Sequence, residues 1–388
     1  MTEKKEVLFE ITEDHLDTGL RGFPVGYCTT SNVDPLKGLF YGGKALDQMA
    51  FQEPSRVIFQ LYHGREGSDV EVDSFKKDLR HRSGIFPQTL HHIRGLPREG
   101  HPMKIFSAAL LIMGIYEGLK NYREDCLNLI ARIPEIAASV ITHHAGWKMN
   151  PSNPELEYME NFSQMLNVPH AKVDELTAIF KVFNVLHYDH GGGNLSTFVG
   201  KAIASGMEDL YGSLCGAMCA LSGHRHGLAN QDCLNFNKEA LRVLGENAGA
   251  DDVEAYLRHR LANNELIFGF GHAVLRVEDP RATVFYGLAE KYADHPLVRM
   301  ALMIRERGTR VLKENSKIAS PYPNVDAISG TMLTVAGFPY PEYYTVLFGL
   351  ARCVGIAIQI VYERCDARSG KGTPIVRPKY LYKSSGNT

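Results

Sequence analysis

The chain has 388 residues, of which 44% are hydrophobic and 22% charged, close to globular averages, so wholesale disorder is excluded. Its 42 Lys and Arg and 44 Asp and Glu leave a formal net charge of −2. With no long basic run, nothing in this balance draws in DNA or RNA, and no nucleic-acid partner is expected. The length suggests two to three domains at about 150 residues each.

In chain order, the N-terminus (MTEKKEVLFE) is charged and lacks the apolar stretch of a secretory signal. Its acidic residues are unlike a transit peptide, and a cytoplasmic location is expected. Strand signals are few and short, and the best lie in the first sixty residues. Residues 103–119 read as an apolar helix that begins just after Pro102, where proline suits a helix start. Residues 124–142 read as a second helix, interrupted at Pro134. Residues 173–186 are amphipathic. Residues 196–221 read as one long helix studded with Gly, Ala and Ser, a composition that lets helices approach closely, within a subunit or between subunits. Helices are also expected at 229–246, 251–263 and 297–314. The tail, 382–388, reads as frayed. The expected class is all-α.

Residues 344–362 (YTVLFGLARCVGIAIQIVY) are long and apolar enough to cross a bilayer, but Arg352 sits near the middle, which is costly in lipid. A buried helix is the better reading. A buried guanidinium must be paired, and the nearest acids, Glu342 and Glu363, lie about ten residues away at the helix ends. Arg352 therefore meets a carboxylate from elsewhere in the chain or is kept for an anionic ligand. The seven cysteines include no C-x-x-C pair, and reduced, mostly buried thiols are expected.

Chemistry is sought at the Gly- and His-rich breaks between helices. LHYDHGGGN (186–194) places His190 before three glycines and Asn194, at a helix start. LSGHRHGLAN (221–230) places His224 and His226 around Arg225. A metal reading is weak, because no acid or Cys at ligand spacing completes a site, and no metal is expected. A His near a helix N-terminus is biased towards neutral and can donate one hydrogen bond to a developing oxyanion. GFGHAVLRVEDPRA (269–282) holds His272, Arg276 and Arg281. It lacks the third glycine of a dinucleotide loop, and two arginines beside a histidine suit carboxylates or phosphates. SPYPNVDAISG (320–330) places Asp326 among apolar residues, where a carboxylate becomes a better base. Taken singly, a turn or helix-capping Asp is the commoner reading. SGKGT (369–373) fails the P-loop rule at Cys365 and Gly372. The inventory suits acid–base chemistry on a polyanionic substrate.

The ordered set HYDHGGGN, SGHRHGLANQD, GHAVLR-x-x-DPR, PNVDAISG, YYTVLFGLAR and VRPK resembles the citrate synthase family over about residues 186–380. The resemblance implies an all-α, interdigitated homodimer. Each subunit would have a large domain (1–226 and 333–388) and a small mobile domain (227–332) that closes over substrate. It also implies an acyltransferase that condenses acetyl-CoA with oxaloacetate and hydrolyses citryl-CoA. No cofactor would be permanently bound, and acetyl-CoA would be a co-substrate. Asp326 would be the base, His226 the hydrogen-bond donor to the thioester oxygen, and His272 the group that protonates the oxaloacetate carbonyl. His190, Arg281 and Arg352 would bind oxaloacetate, with Arg377 supplied across the dimer interface. Arg276 and Lys317 would meet CoA, and Ser196 and Asn194 would support the catalytic loop. Three positions depart from the family pattern. His224 and Arg225 stand where Pro and an aliphatic residue are usual, and Gly191 where Glu is frequent. A 2-methylcitrate synthase using propionyl-CoA shares these motifs, since one methylene is worth only about 1–3 kcal/mol of discrimination. A lyase running in the cleavage direction, a non-catalytic ligand-binding relative and a membrane protein are the other readings.

Overall fold

A computed structural model describes residues 7–383. Residues 384–388 of the expected frayed tail (382–388) and residues 1–6 of the charged start lie outside the described residues. Helix accounts for 59% and strand for 3%, which settles the all-α class. The first elements are β1 (Ser31–Asp34), β2 (Gly38–Tyr41) and β3 (Lys44–Ala45), one small antiparallel sheet in that order. Asp34 Oδ1 accepts the N–H groups of Leu36 and Lys37, both at 2.9 Å, and so closes the β1–β2 turn. The helices α1 (Pro54–His63), α2 (Asp69–Arg82), α3 (Pro87–Arg94), α4 (Pro102–Glu117) and α5 (Tyr122–Ala145) follow. Then come α6 (Tyr158–Leu166), α7 (Val173–His187), α8 (Leu195–Ser205), α9 (Leu210–Leu221) and α10 (Ala229–Leu244). The last are α11 (Ala250–Ala262), α12 (Pro280–Ala289), α13 (Pro296–Lys313), α14 (Asp326–Val335) and α15 (Tyr344–Val361).

Two local expectations are corrected. Helix α5 runs unbroken through Pro134. A proline inside a helix frees the carbonyl four residues earlier, here that of Ile130. The Tyr158 hydroxyl donates to that carbonyl at 2.8 Å, so the helix is not forced to end. The single helix expected over 196–221 is two, α8 and α9. Met207 takes a left-handed φ of 71°, and the Asp209 carboxylate accepts the Gly212 N–H at 2.8 Å as an N-cap. A side-chain acceptor outcompeted the helical pattern at that point.

All 18 residues of α15 are buried. It is the one helix among the described residues long and apolar enough to cross a membrane, and here its apolar surface is covered by α5, α7, α8 and α9. Glycines let the neighbours close in. A Cβ at Gly355 would lie 2.1 Å from the Tyr188 carbonyl oxygen and 3.0 Å from Asp189 Cβ. The main core surrounds this helix. A second apolar cluster, built from Phe236, Val253, Leu257, Met300, Ile304 and Leu312 among others, binds α10, α11 and α13 together. All seven cysteines are free, and Cys126, Cys233 and Cys353 are buried.

The closeness of α15 to the 188–189 backbone gives a stability prediction. Gly355→Ala should cost about 1–3 kcal/mol or more, because backbone cannot move aside as a side chain can. Gly193→Ala should leave stability nearly unchanged, since a Cβ there meets nothing within 4 Å. Thermal unfolding of the two variants checks this.

Candidate active site

The end of α7, the glycine loop and α15 form one wall of a cleft. Tyr41 of β2 accepts the Asp189 N–H at 3.0 Å and donates to the Val185 carbonyl at 3.1 Å, which pins the chain where α7 ends. His190 follows, and its Nε2 is buried with no hydrogen-bond partner. Facing it is Arg352, 1% exposed in mid-helix. Its Nε donates to the His187 carbonyl at 3.0 Å, and its guanidinium lies over the Phe348 ring at 4.8 Å. No carboxylate among the described residues lies within ion-pairing distance of it. Burial, and then the positive Arg281 nearby, pull its pKa down to about 10, with Asp189 opposing. An arginine held under that strain is poised for an anion.

The opposite wall comes from 269–282 and 320–330. Asp279 caps α12 by accepting the Arg281 N–H at 3.0 Å, and it also pairs with the Arg281 side chain, Nη2 to Oδ2 at 2.7 Å. The Val325 N–H donates to the same carboxylate at 3.3 Å. One buried Asp thus joins the arginine to the segment that carries Asp326. His272 Nδ1 accepts the N–H groups of Val274 (3.0 Å) and Leu275 (2.8 Å). A nitrogen that accepts twice carries no proton, so His272 is protonated on Nε2 when neutral. Its ring lies 5.1 Å from that of His190.

Asp326 opens α14. It does not cap the helix; Asn324 Oδ1 takes the Asp326 N–H at 3.0 Å, and Asp326 Oδ1 is left buried without a partner. The residue is partly open to the cleft, yet that oxygen is not. Burial pushes its pKa up to about 7, against the pull of Arg281 and with Asp279 adding to the rise. The taken-singly reading of Asp326 as a capping residue is therefore corrected.

His226 lies in the turn between α9 and α10. The turn closes without the usual proline, through the Gly227 N–H to the Leu221 carbonyl at 2.9 Å and the His226 N–H to the Gly223 carbonyl at 2.9 Å. His224 is exposed, 3.7 Å from Asp232. The Ser196 backbone N–H donates to His226 Nε2 at 3.3 Å, and the Ser196 hydroxyl lies 3.0 Å from the same nitrogen. Nε2 is the acceptor, so the proton of the neutral ring sits on Nδ1. Asn194 caps α8 through the Thr197 N–H (3.1 Å) and receives the Ser196 hydroxyl (3.0 Å). Burial pushes both rings down to about pKa 4, assisted by Arg352 at His226 and by Arg281 at His272. His190 is also held well below the ordinary imidazole value, by burial and then Arg281. At neutral pH the site holds three neutral imidazoles, two arginines and a carboxyl group near its midpoint.

The structure thus gathers His190, His226, His272, Arg281, Asp326 and Arg352, with Ser196 and Asn194 behind His226. Three residues stand apart. Arg276 is exposed and folds its Nη1 back onto the carbonyls of His272, Val274 and Leu275. Lys317 is exposed beyond α13. Arg377 is exposed in the C-terminal coil, anchored beside it by the Val376 N–H to Ser205 Oγ at 2.9 Å. Asp189 and Asp279 organise the site and were passed over as candidates. Their signal was present: each stands directly beside, or two residues from, a site residue.

A sequence profile described as "Citrate synthase, C-terminal domain" matches residues 19–379. The chain is 33% identical over 401 residues to citrate synthase 4, mitochondrial, of Arabidopsis thaliana, covering 97% of this chain and 83% of the relative. It is also 33% identical, with the same coverage, to the mitochondrial citrate synthase of Citrus maxima. In fold it is similar to the citrate synthase of the thermophilic archaeon Thermoplasma acidophilum, solved with carboxymethyl coenzyme A and oxaloacetate. The TM-score is 0.82 at 24% identity, covering 96% of this chain and 97% of that one. The expectation of a cytoplasmic location is overturned, since both plant relatives are named as mitochondrial proteins. A profile matched over nearly the whole length and relatives at one-third identity agree with the site's geometry: the chain belongs to the citrate synthase family.

Proposed function

We propose that this chain condenses acetyl-CoA with oxaloacetate and hydrolyses the citryl-CoA formed, as a citrate synthase. The observation that carries the reading is the pairing of two neutral histidines of opposite tautomer with one elevated carboxyl group. His226 offers Nδ1–H and His272 offers Nε2–H, while Asp326 alone is suited to accept a proton.

Asp326 takes a proton from the acetyl methyl group. The electron pair moves onto the thioester oxygen, where His226 Nδ1–H donates a hydrogen bond. That carbon acid is far weaker than any carboxylic acid, so the stabilisation of the enol or enolate by His226 supplies much of the barrier lowering. The nucleophilic carbon then bonds to the oxaloacetate carbonyl carbon, and His272 Nε2–H protonates the oxygen. Water cleaves the thioester and CoA leaves as its thiol. Arg352, the remaining face of Arg281, and His190 Nε2 hold the oxaloacetate carboxylates. The buried Arg352 receives its missing counter-charge from the substrate. Arg276 and Lys317, both exposed cations, serve the CoA phosphates. Acetyl-CoA is a co-substrate and no resident cofactor enters the chemistry.

The two walls come from different stretches of chain. His272, Arg281 and Asp326 belong to 227–332, and His190, His226 and Arg352 lie outside it. Segment 227–332 is read as the small domain, and its closing would exclude water before acetyl-CoA is activated. The chain is further read as a homodimer in which Arg377 reaches the partner's site. Its exposure is consistent with that reading. By the names of its relatives, the protein's compartment is the mitochondrion.

Purified protein should release CoA thiol from acetyl-CoA only when oxaloacetate is present. Faster release from propionyl-CoA would instead assign 2-methylcitrate synthesis. Asp326→Asn should lower turnover by about 10²–10⁴-fold while retaining oxaloacetate binding. Wild-type kcat/KM for acetyl-CoA should fall on acidification, as Asp326 protonates around its pKa of about 7. Neither His226 nor His272, at about 4, adds an inflection near neutrality.

Stability should move the opposite way. Below pH 4 Asp326 is protonated both folded and unfolded. Between its ordinary value of 3.8 and about 7 the folded state keeps the proton and the unfolded chain does not, so wild type loses stability as pH rises. Asp326→Asn should therefore melt higher than wild type at pH 8 and lose that advantage below pH 4, as read by thermal scans.

A further inference from the structure

Behind the glycine loop lies a buried polar chain that the reaction does not use. Asp189 is fully buried and makes no ion pair among the described residues. Its Oδ1 accepts the His190 N–H at 2.8 Å and the Gln359 side-chain amide at 2.8 Å. Its Oδ2 accepts the Thr30 hydroxyl. The same Gln359 amide also reaches the Gly191 carbonyl at 3.4 Å, and the Ser31 hydroxyl takes the Gly191 N–H at 2.7 Å. The peptide groups on both sides of His190 are therefore held, while its ring Nε2 is left without a partner.

The orientation of Gln359 is forced. Lys201 of α8 is a donor only, and its Nζ lies 3.3 Å from Gln359 Oε1 and 2.9 Å from the Glu363 carboxylate. The oxygen end of the amide must face Lys201, so the NH₂ end faces Asp189. The donors converge on the Asp189 carboxylate, and no side-chain atom of Asp189, Gln359 or Lys201 is left buried without a partner, which is the condition under which a buried polar network rigidifies rather than weakens. The network also explains a glycine. A Cβ at Gly192 would lie 2.9 Å from Lys201 Nζ and 3.3 Å from Gln359 Oε1, so a side chain there would push the lysine end away from its place against Gln359.

Gln359 stands seven residues after Arg352 on α15, about two turns along, and so on the same face. One helix therefore carries both the guanidinium of the site and the amide that grips the His190 loop. We propose that Gln359, oriented by Lys201 and acting through Asp189, is a positioning residue that sets His190 against Arg352 for oxaloacetate binding. The proposal rests on the reading of His190 and Arg352 as oxaloacetate ligands.

Gln359→Met is the test. The KM for oxaloacetate should rise about tenfold, the size expected when one buried bond to a charged group is lost, while kcat and the KM for acetyl-CoA stay within about twofold. Hydrogen exchange at the amides of residues 190 and 191, a readout independent of turnover, should quicken. Lys201→Met should shift both quantities in the same direction, and Lys201→Arg, which keeps a donor, should lie nearer wild type. If Gln359→Met does not fold, the Lys201 pair carries the test. A folded variant with unchanged oxaloacetate KM and unchanged exchange overturns the proposal. So does a loss of kcat at constant KM, which is what a merely structural role would give. Wild-type protein that shows no oxaloacetate-dependent thiol release would sink the substrate reading instead, and the exchange measurement would still decide whether Gln359 holds the loop.

Discussion

The structure is organised around a guanidinium buried without a counter-charge. Arg352 sits in the middle of a helix whose every residue is buried, stacked on Phe348 and bonded through Nε to a single carbonyl. Burial of an unpaired charge is among the costliest things a fold can do. Here the cost is spread over a large apolar core that covers α15 on several sides. Arg281 answers differently to the same problem. It is paired with Asp279, so its charge is partly satisfied before any ligand arrives. One wall of the cleft is thus strained and the other relaxed, and the two cations lie close enough to weaken each other.

That electrostatic frame decides what the titratable groups do. Positive charge and burial together hold His190, His226 and His272 neutral, and backbone N–H groups then choose which nitrogen keeps the proton. Burial acts on Asp326 in the reverse sense and raises it towards neutrality, while Arg281 restrains the rise. A single environment therefore holds the imidazoles neutral and brings a carboxyl group, which in water would be fully ionised, to the midpoint of its titration near pH 7. The cost is local instability at Asp326, the usual companion of a prepared site.

Helices with a strong apolar rhythm were legible in the chain. The expected 103–119, 173–186, 251–263 and 297–314 correspond to α4, α7, α11 and α13 within a few residues. The failures came where a distant or local side chain overrode the pattern. Tyr158 rescued the helix that Pro134 should have broken, and Asp209 split a helix that the Gly/Ala/Ser pattern made continuous. Short helices such as α3, α12 and α14 went unread because few turns leave little rhythm to detect.

At the site, residue types and loop positions were readable from the chain alone, because the candidate side chains sit at glycine- and proline-marked breaks and their chemistry is intrinsic. The need of Arg352 for an outside partner was readable too, since no acid lies near it in sequence. Pairing, protonation and orientation were not. The choice of tautomer at His226 depends on Ser196, thirty residues away, and the Asp189 carboxylate that holds the His190 N–H is gripped by Gln359, 170 positions from it. Asp326 is not a cap because Asn324 took the capping bond, and its pKa is raised because burial removed its water. Side-chain identity is local information, whereas desolvation and hydrogen-bond partners are properties of the folded interior, and those set the charge state of every group in this cleft.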